Sequence, residues 1–140
     1  MKSAQIIETD AYVRKNFVYR PDPDLADTWR SHVSELSSQR PWHGDCDDLT
    51  STLLDQLSQL GVPLHDLFML MVSTSFKIDH ANHLVGAVLD DEGRFWIVGD
   101  TFRPAYRAES IQHIGIKYRR LNEWGVDGRP LLRLGYPWTY

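Results

Sequence analysis

The sequence predicts an α+β domain in which N-terminal helices pack on an antiparallel β-sheet. Three observations point there. A leucine stripe at helical spacing runs through residues 49–60. Apolar, strand-like runs dominate the second half of the chain. Between two of them stands Asp90-Asp91-Glu92-Gly93, a hairpin turn by composition. Helices first and paired strands after is the α+β order.

The elements follow in chain order. Residues 1–20 mix polar and aromatic side chains and carry no clear period. Asp22-Pro23-Asp24 has the form of a helix start, with Asp22 as cap and Pro23 at the first helical position. Leu25, Trp29, Val33 and Leu36 then recur at helical spacing, so a helix is expected over about 24–38. Arg40-Pro41 ends it. The second helix starts at Asp45, a natural N-cap, with Asp48 three residues later in capping-box style. Its stripe is Leu49, Leu53, Leu54, Leu57 and Leu60, and Gly61 and Pro63 mark its end. Phe68–Thr74 reads as a buried strand. His83–Leu89 and Arg94–Asp100 flank the hairpin turn, and Ile114–Leu121 and Leu131–Leu134 are candidates for edge strands.

Composition narrows the function. At 140 residues, 42% hydrophobic and 24% charged, the chain has the size and balance of one soluble globular domain spanning 1–140. A net charge of −4 argues against nucleic acid as a partner. The basic run Lys117-Tyr118-Arg119-Arg120 reads as a solvated strand face. A single cysteine forms no internal disulfide. The first residues lack the apolar core of a signal peptide, and the longest apolar run, Leu67–Val72, is too short to span a bilayer. A cytoplasmic location without membrane contact is the expectation.

The lone Cys46 stands among Asp45, Asp47 and Asp48, in the first turn of the second helix. Carboxylates repel a thiolate, but a helix N-terminus favours one through the macrodipole and the free backbone N–H groups. A histidine beside the sulfur would decide the contest by forming a thiolate–imidazolium pair. The hairpin supplies it. With an even-numbered turn, His83 falls directly opposite Asp100, with Cβ atoms about 5 Å apart. Asp100 could then orient the imidazole and stabilise its cation. A three-residue loop with a glycine bulge would place them on opposite faces unless a second bulge compensated. The turn sequence permits either, and the Cys-His-Asp reading predicts the even register.

Gly44-Asp45-Cys46-Asp47-Asp48, His83-Leu-Val-Gly-Ala-Val and Gly99-Asp100-Thr101 resemble the bacterial transglutaminase-like cysteine proteinases, within the transglutaminase-like and papain-like superfamily. The resemblance covers about 40–105 and is most specific in the cysteine box. It implies Cys46 as nucleophile, His83 as general base and acid, and Asp100 as orienter. It implies a protein or peptide substrate and hydrolysis through a thioester, with acyl transfer to a lysine amine as the alternative. In calcium-dependent members the acidic residues flanking the cysteine bind calcium, which points to Asp45 and Asp47. The chemistry itself needs no cofactor. The oxyanion would be held by the Cys46 backbone N–H and a second donor, for which Gln39, Trp42 or a nearby backbone N–H are candidates.

Other readings compete residue by residue. Cys46 could be a buried filler, His83 an exposed strand residue, Asp100 a turn residue, and Asp45 and Asp48 simple caps. Trp42, Trp96 and Trp138 suit packing. A different class, a zinc or iron centre from His43, Asp45, Asp47, His80 and His83, lacks any motif with ligand-grade spacing. A catalytically silent binding module on the same fold is a third class. The sequence leaves oligomeric state open.

Overall fold

The computed structural model describes residues 1–21, 31–72, 83–108 and 117–120. Helix α1 spans Ser3–Arg14, strand β1 Phe17–Tyr19, the single turn α2 Val33–Leu36, β2 Trp42–Gly44 and α3 Cys46–Gln59. A 3₁₀ turn at Leu64–Asp66 leads into β3, Leu67–Val72. β4 is His83–Leu89, β5 Phe95–Val98, β6 Tyr106–Arg107 and β7 Lys117–Arg120. The main sheet is antiparallel in the order β6-β5-β4-β3-β7, and β1 and β2 form a separate parallel pair. Among the described residues, no helix is long and apolar enough to cross a membrane.

Helix α3 matches its expectation at both ends. Asp45 is the N-cap, and the reciprocal capping box with Asp48 is present. At the other end Val62 N–H bonds the Leu57 carbonyl and Gly61 N–H bonds Ser58, both pairs expected of a Schellman turn. That turn begins at Leu60, which rotates off the stripe and is exposed, contrary to its expected place in the core. Leu49, Leu53, Leu54 and Leu57 are buried. They meet Leu67, Met69, Leu84, Val88 and Val98 from one face of the sheet. Phe68, Leu70, Val85, Ala87 and Ile97 form a second buried cluster. Because both sets are buried, β3 reads as a continuous apolar run rather than an alternating one.

Helix α1 and strand β1 occupy the segment whose sequence showed no period. The buried residues of α1 are Ile6, Thr9, Asp10 and Val13. Their spacing is helical, but two of the four are polar, so hydropathy does not reveal the face. The expected helix over 24–38 is helical at Val33–Leu36 within the described residues. Its expected start, with Leu25 and Trp29, lies outside them, as do Ser73, Thr74, His80, Trp138 and the candidate strand 131–134. Of the candidate strand 114–121, residues 117–120 are described and pair with β3.

The β4–β5 hairpin corrects the expected register. Leu89 pairs with Phe95 and Gly86 with Val98, which is the odd, three-residue-loop alignment. Asp90 and Arg94 close the loop, with a hydrogen bond from Asp90 N to Arg94 O, and Gly93 takes a φ of 75° as the bulge residue. Asp90 drives this choice. Its Oδ1 accepts the N–H groups of Glu92 and Arg94, and its Oδ2 accepts Arg94 Nε and Trp96 Nε1. Burial would raise its pKa, but these donors hold it down to about 2.

Continued alternation would send His83 and Asp100 to opposite faces. The ladder stops at Val98 instead. Gly99 follows with a φ of 67°, and the chain turns there. Gly99 is required twice over: a Cβ would lie 3.1 Å from Thr50 Cα of α3, and a side chain disfavours the left-handed backbone. Gly99→Ala should therefore cost about 1–3 kcal/mol, read as a lower urea midpoint at unchanged slope. A variant as stable as wild type would show that this turn is unstrained.

Candidate active site

Cys46 is the first residue of α3 and half-buried. β2 delivers the chain to it in extended form and ends at Gly44. A Cβ on Gly44 would sit 2.4 Å from the Asp48 Cβ, so only glycine lets the Asp48 side chain fold back over the helix start. From there Asp48 Oδ2 accepts the Asp45 N–H at 3.1 Å. Asp48 Oδ1 lies 3.8 Å from His32 Nε2, and Glu35 is 3.1 Å from His32 Nδ1. Asp48, against burial and with help from Glu35, raises the His32 pKa above its ordinary value. His32 also stacks on Trp42 with ring centroids 5.0 Å apart, and its backbone N–H bonds Thr52 Oγ1. His32 was not legible as part of the site, because its partners come from α2 and α3 together.

His83 opens β4, is 7% exposed, and its Nε2 lies 3.1 Å from Asp100 Oδ1. A carboxylate only accepts, so Nε2 carries the proton and donates. That leaves Nδ1 as the nitrogen for the Cys46 sulfur. Burial alone would lower the His83 pKa. The Asp100 hydrogen bond, with the bond and charge of Cys46, pushes it from 6.5 to about 9. Asp100 Oδ1 also accepts the Phe102 N–H at 3.0 Å. Burial acts to raise the Asp100 pKa, but His83, the Phe102 N–H and the Arg103 charge hold it below its ordinary value. The Phe102 ring lies against His83, centroids 5.0 Å apart, and is itself 74% exposed. Thr50 Oγ1, fully buried on α3, is 3.4 Å from both the Leu84 and Gly99 carbonyls, between the strand that His83 opens and the turn that leads to Asp100.

The residues expected from sequence thus divide. Cys46, His83 and Asp100 come together, through the turn at Gly99 rather than through the even register. Trp42 does not fit as an oxyanion donor: it is 2% exposed, and its indole N–H bonds the Val13 carbonyl at 3.3 Å. Gln39 is exposed and has a φ of 58°. Asp45, Asp47 and Asp48 each offer an oxygen within 4.8 Å of the others. His43 is exposed on β2 and, among the described residues, joins no group of metal-ligand side chains.

Neither a protein-family model nor a curated protein matches this sequence. Among solved structures, the chain is similar to calcium-bound LapG of Legionella pneumophila, with a TM-score of 0.59 and 21% identity. The match covers 81% of this chain and 61% of that one, so the chain spans about three fifths of its neighbour's length. The likeness establishes a transglutaminase-like fold.

The His83 shift has a definite sign. The folded protein holds the His83 proton more tightly than the unfolded chain does. Its stabilisation is fully present below pH 6.5 and disappears as pH rises through about 9. Asp100 acts oppositely, stabilising above the ordinary carboxylate pKa and losing its effect as pH falls through its depressed one. Urea unfolding of wild type and His83→Gln should therefore give a stability difference that shrinks between neutral pH and pH 9. A difference that stays constant over that range would refute the raised imidazole.

Proposed function

We propose that this protein is a cysteine-dependent hydrolase of peptide or amide bonds, with Cys46 as nucleophile, His83 as general base and acid, and Asp100 as orienter. The observation that carries the reading is the buried His83–Asp100 hydrogen bond set beside a cysteine at a helix N-terminus. His83 Nδ1 takes the thiol proton, and the sulfur attacks the substrate carbonyl carbon. The imidazolium then protonates the leaving amine, giving a thioester. Water, deprotonated by the same imidazole, attacks the thioester and releases the acid and the thiol. Asp100 supports the imidazolium throughout. The Cys46 backbone N–H, at a position without an intrahelical acceptor, suits the oxyanion. Gln39 is the side-chain candidate for the second donor, and its left-handed backbone is the kind of strain found at functional sites. The similarity to LapG supports the fold that this chemistry requires.

Calcium fits the carboxylate cluster by chemistry. The donors are all hard oxygens, and their mutual separation suits one ion. Asp45 and Asp47 would hold it, with Asp48 beside them turned to the Asp45 N–H and His32. The ion would neutralise the negative field around the thiolate and brace the helix start. The calcium carried by the structural neighbour supports this reading.

Iodoacetamide labelling followed by intact mass tests the nucleophile. Labelling of wild type should stay fast well below the ordinary thiol pKa of about 8.5, and His83→Ala should lose that speed. Once a peptide substrate is found, Cys46→Ala and His83→Ala should each lose roughly 1,000-fold or more in turnover. Retained turnover in Cys46→Ala would remove the mechanism. For the ion, millimolar calcium should raise the melting temperature of wild type and not of Asp47→Asn. An unmoved wild type, with no metal bound after purification without chelator, would eliminate the site.

A further inference from the structure

Asp100 lies beyond the end of β5, in a loop that has already left the sheet at Gly99. Its hold comes from α1. Asp10, 1% exposed, accepts the Gly99 N–H through Oδ1 and the Ala105 N–H through Oδ2, each at 3.0 Å. Arg14, one turn further along α1, donates Nε to Asp10 Oδ2 at 2.7 Å and Nη2 to Oδ1 at 3.1 Å. Its Nη1 donates to the Asp100 carbonyl at 3.0 Å.

One ion pair thus grips the loop just before Asp100, at Asp100 and at the loop's far end. A carboxylate has about four acceptor positions, and these four donors occupy them. A buried ion pair seldom outperforms apolar residues as filler. The directionality of its bonds is what an apolar pair could not supply.

We propose that the Asp10–Arg14 pair is the positioning element of the site, setting the Asp100 carboxylate against His83 so that α1 governs the imidazole without touching substrate. Its consequence for Cys46 rests on the hydrolase reading above; its effect on His83 does not.

The test is the titration of His83, followed by NMR of labelled imidazole in the full chain, for wild type, Arg14→Gln, Arg14→Lys, Asp10→Asn and the exposed α1 control Glu8→Gln. In Arg14→Gln with native circular dichroism, the His83 pKa should fall from its wild-type value toward 6.5. Arg14→Lys should recover part of the shift, and Glu8→Gln should match wild type. Should Asp10→Asn fail to fold, Arg14→Gln decides alone, since it leaves both backbone bonds of Asp10 in place. A folded Arg14→Gln whose His83 titrates as in wild type overturns the proposal. Iodoacetamide labelling that is equally fast in wild type and His83→Ala would instead defeat the hydrolase reading and leave the titration result standing.

Discussion

Helix α3 lies so close to the sheet that a methyl group on Gly86 would meet Leu54 at 3.1 Å, and one on Gly99 would meet Thr50 at the same distance. This close seating is the constraint on which the site depends. It sets the start of α3 beside the start of β4 and the end of β5. Cys46 occupies the first of those positions and His83 the second, and Asp100 follows the third. The two glycines leave room for the helix. Leu54 and Thr50 fill that room, one with apolar contact and the other with a hydroxyl between the carbonyls of Leu84 on β4 and Gly99 in the turn. A looser helix would separate the sulfur from the imidazole even with all three residues intact.

Around that seat, buried carboxylates do most of the local shaping. Asp90 chooses the odd hairpin loop, Asp48 bonds the backbone at the helix start, and Asp10 holds the loop that carries Asp100. Each accepts backbone N–H groups that an irregular segment would otherwise leave unsatisfied. This accounts for part of the acidic balance of the chain. Several of its aspartates are internal fittings and say little about a partner.

The lone thiol of Cys46 stands among three carboxylates, two of which form the capping box of its helix. Asp48 is turned toward the Asp45 N–H and His32. Asp45 is the other half of the capping box. Opposing the acids are a helix N-terminus and an imidazole whose proton is held by Asp100. The aspartates brace the element that presents the thiol, and the positive partner comes from a different part of the chain.

Local signals made much of this legible in the sequence. The capping box, the leucine stripe and the Gly-Pro stop defined α3 because each acts within a turn or two of helix. His83–Leu89 was bounded correctly because apolar content and a turn delimit a strand locally. Register was not legible: an even loop and a three-residue loop with a glycine bulge suit the same four turn residues. The choice was made by Asp90, which collects donors from Glu92 within the turn and from Arg94 and Trp96 beyond it. The meeting of His83 with Asp100 then depended on Gly99, which turns with a left-handed backbone and leaves room for Thr50. Helix α1 escaped notice because half of its buried face is polar, and Asp10 can be buried only where Gly99, Ala105 and Arg14 supply its donors. The sequence by itself determined the helix that presents the cysteine and the strand that presents the histidine. Tertiary structure alone decided their alignment, because the groups that set it are far apart along the chain and acquire their partners only when it folds.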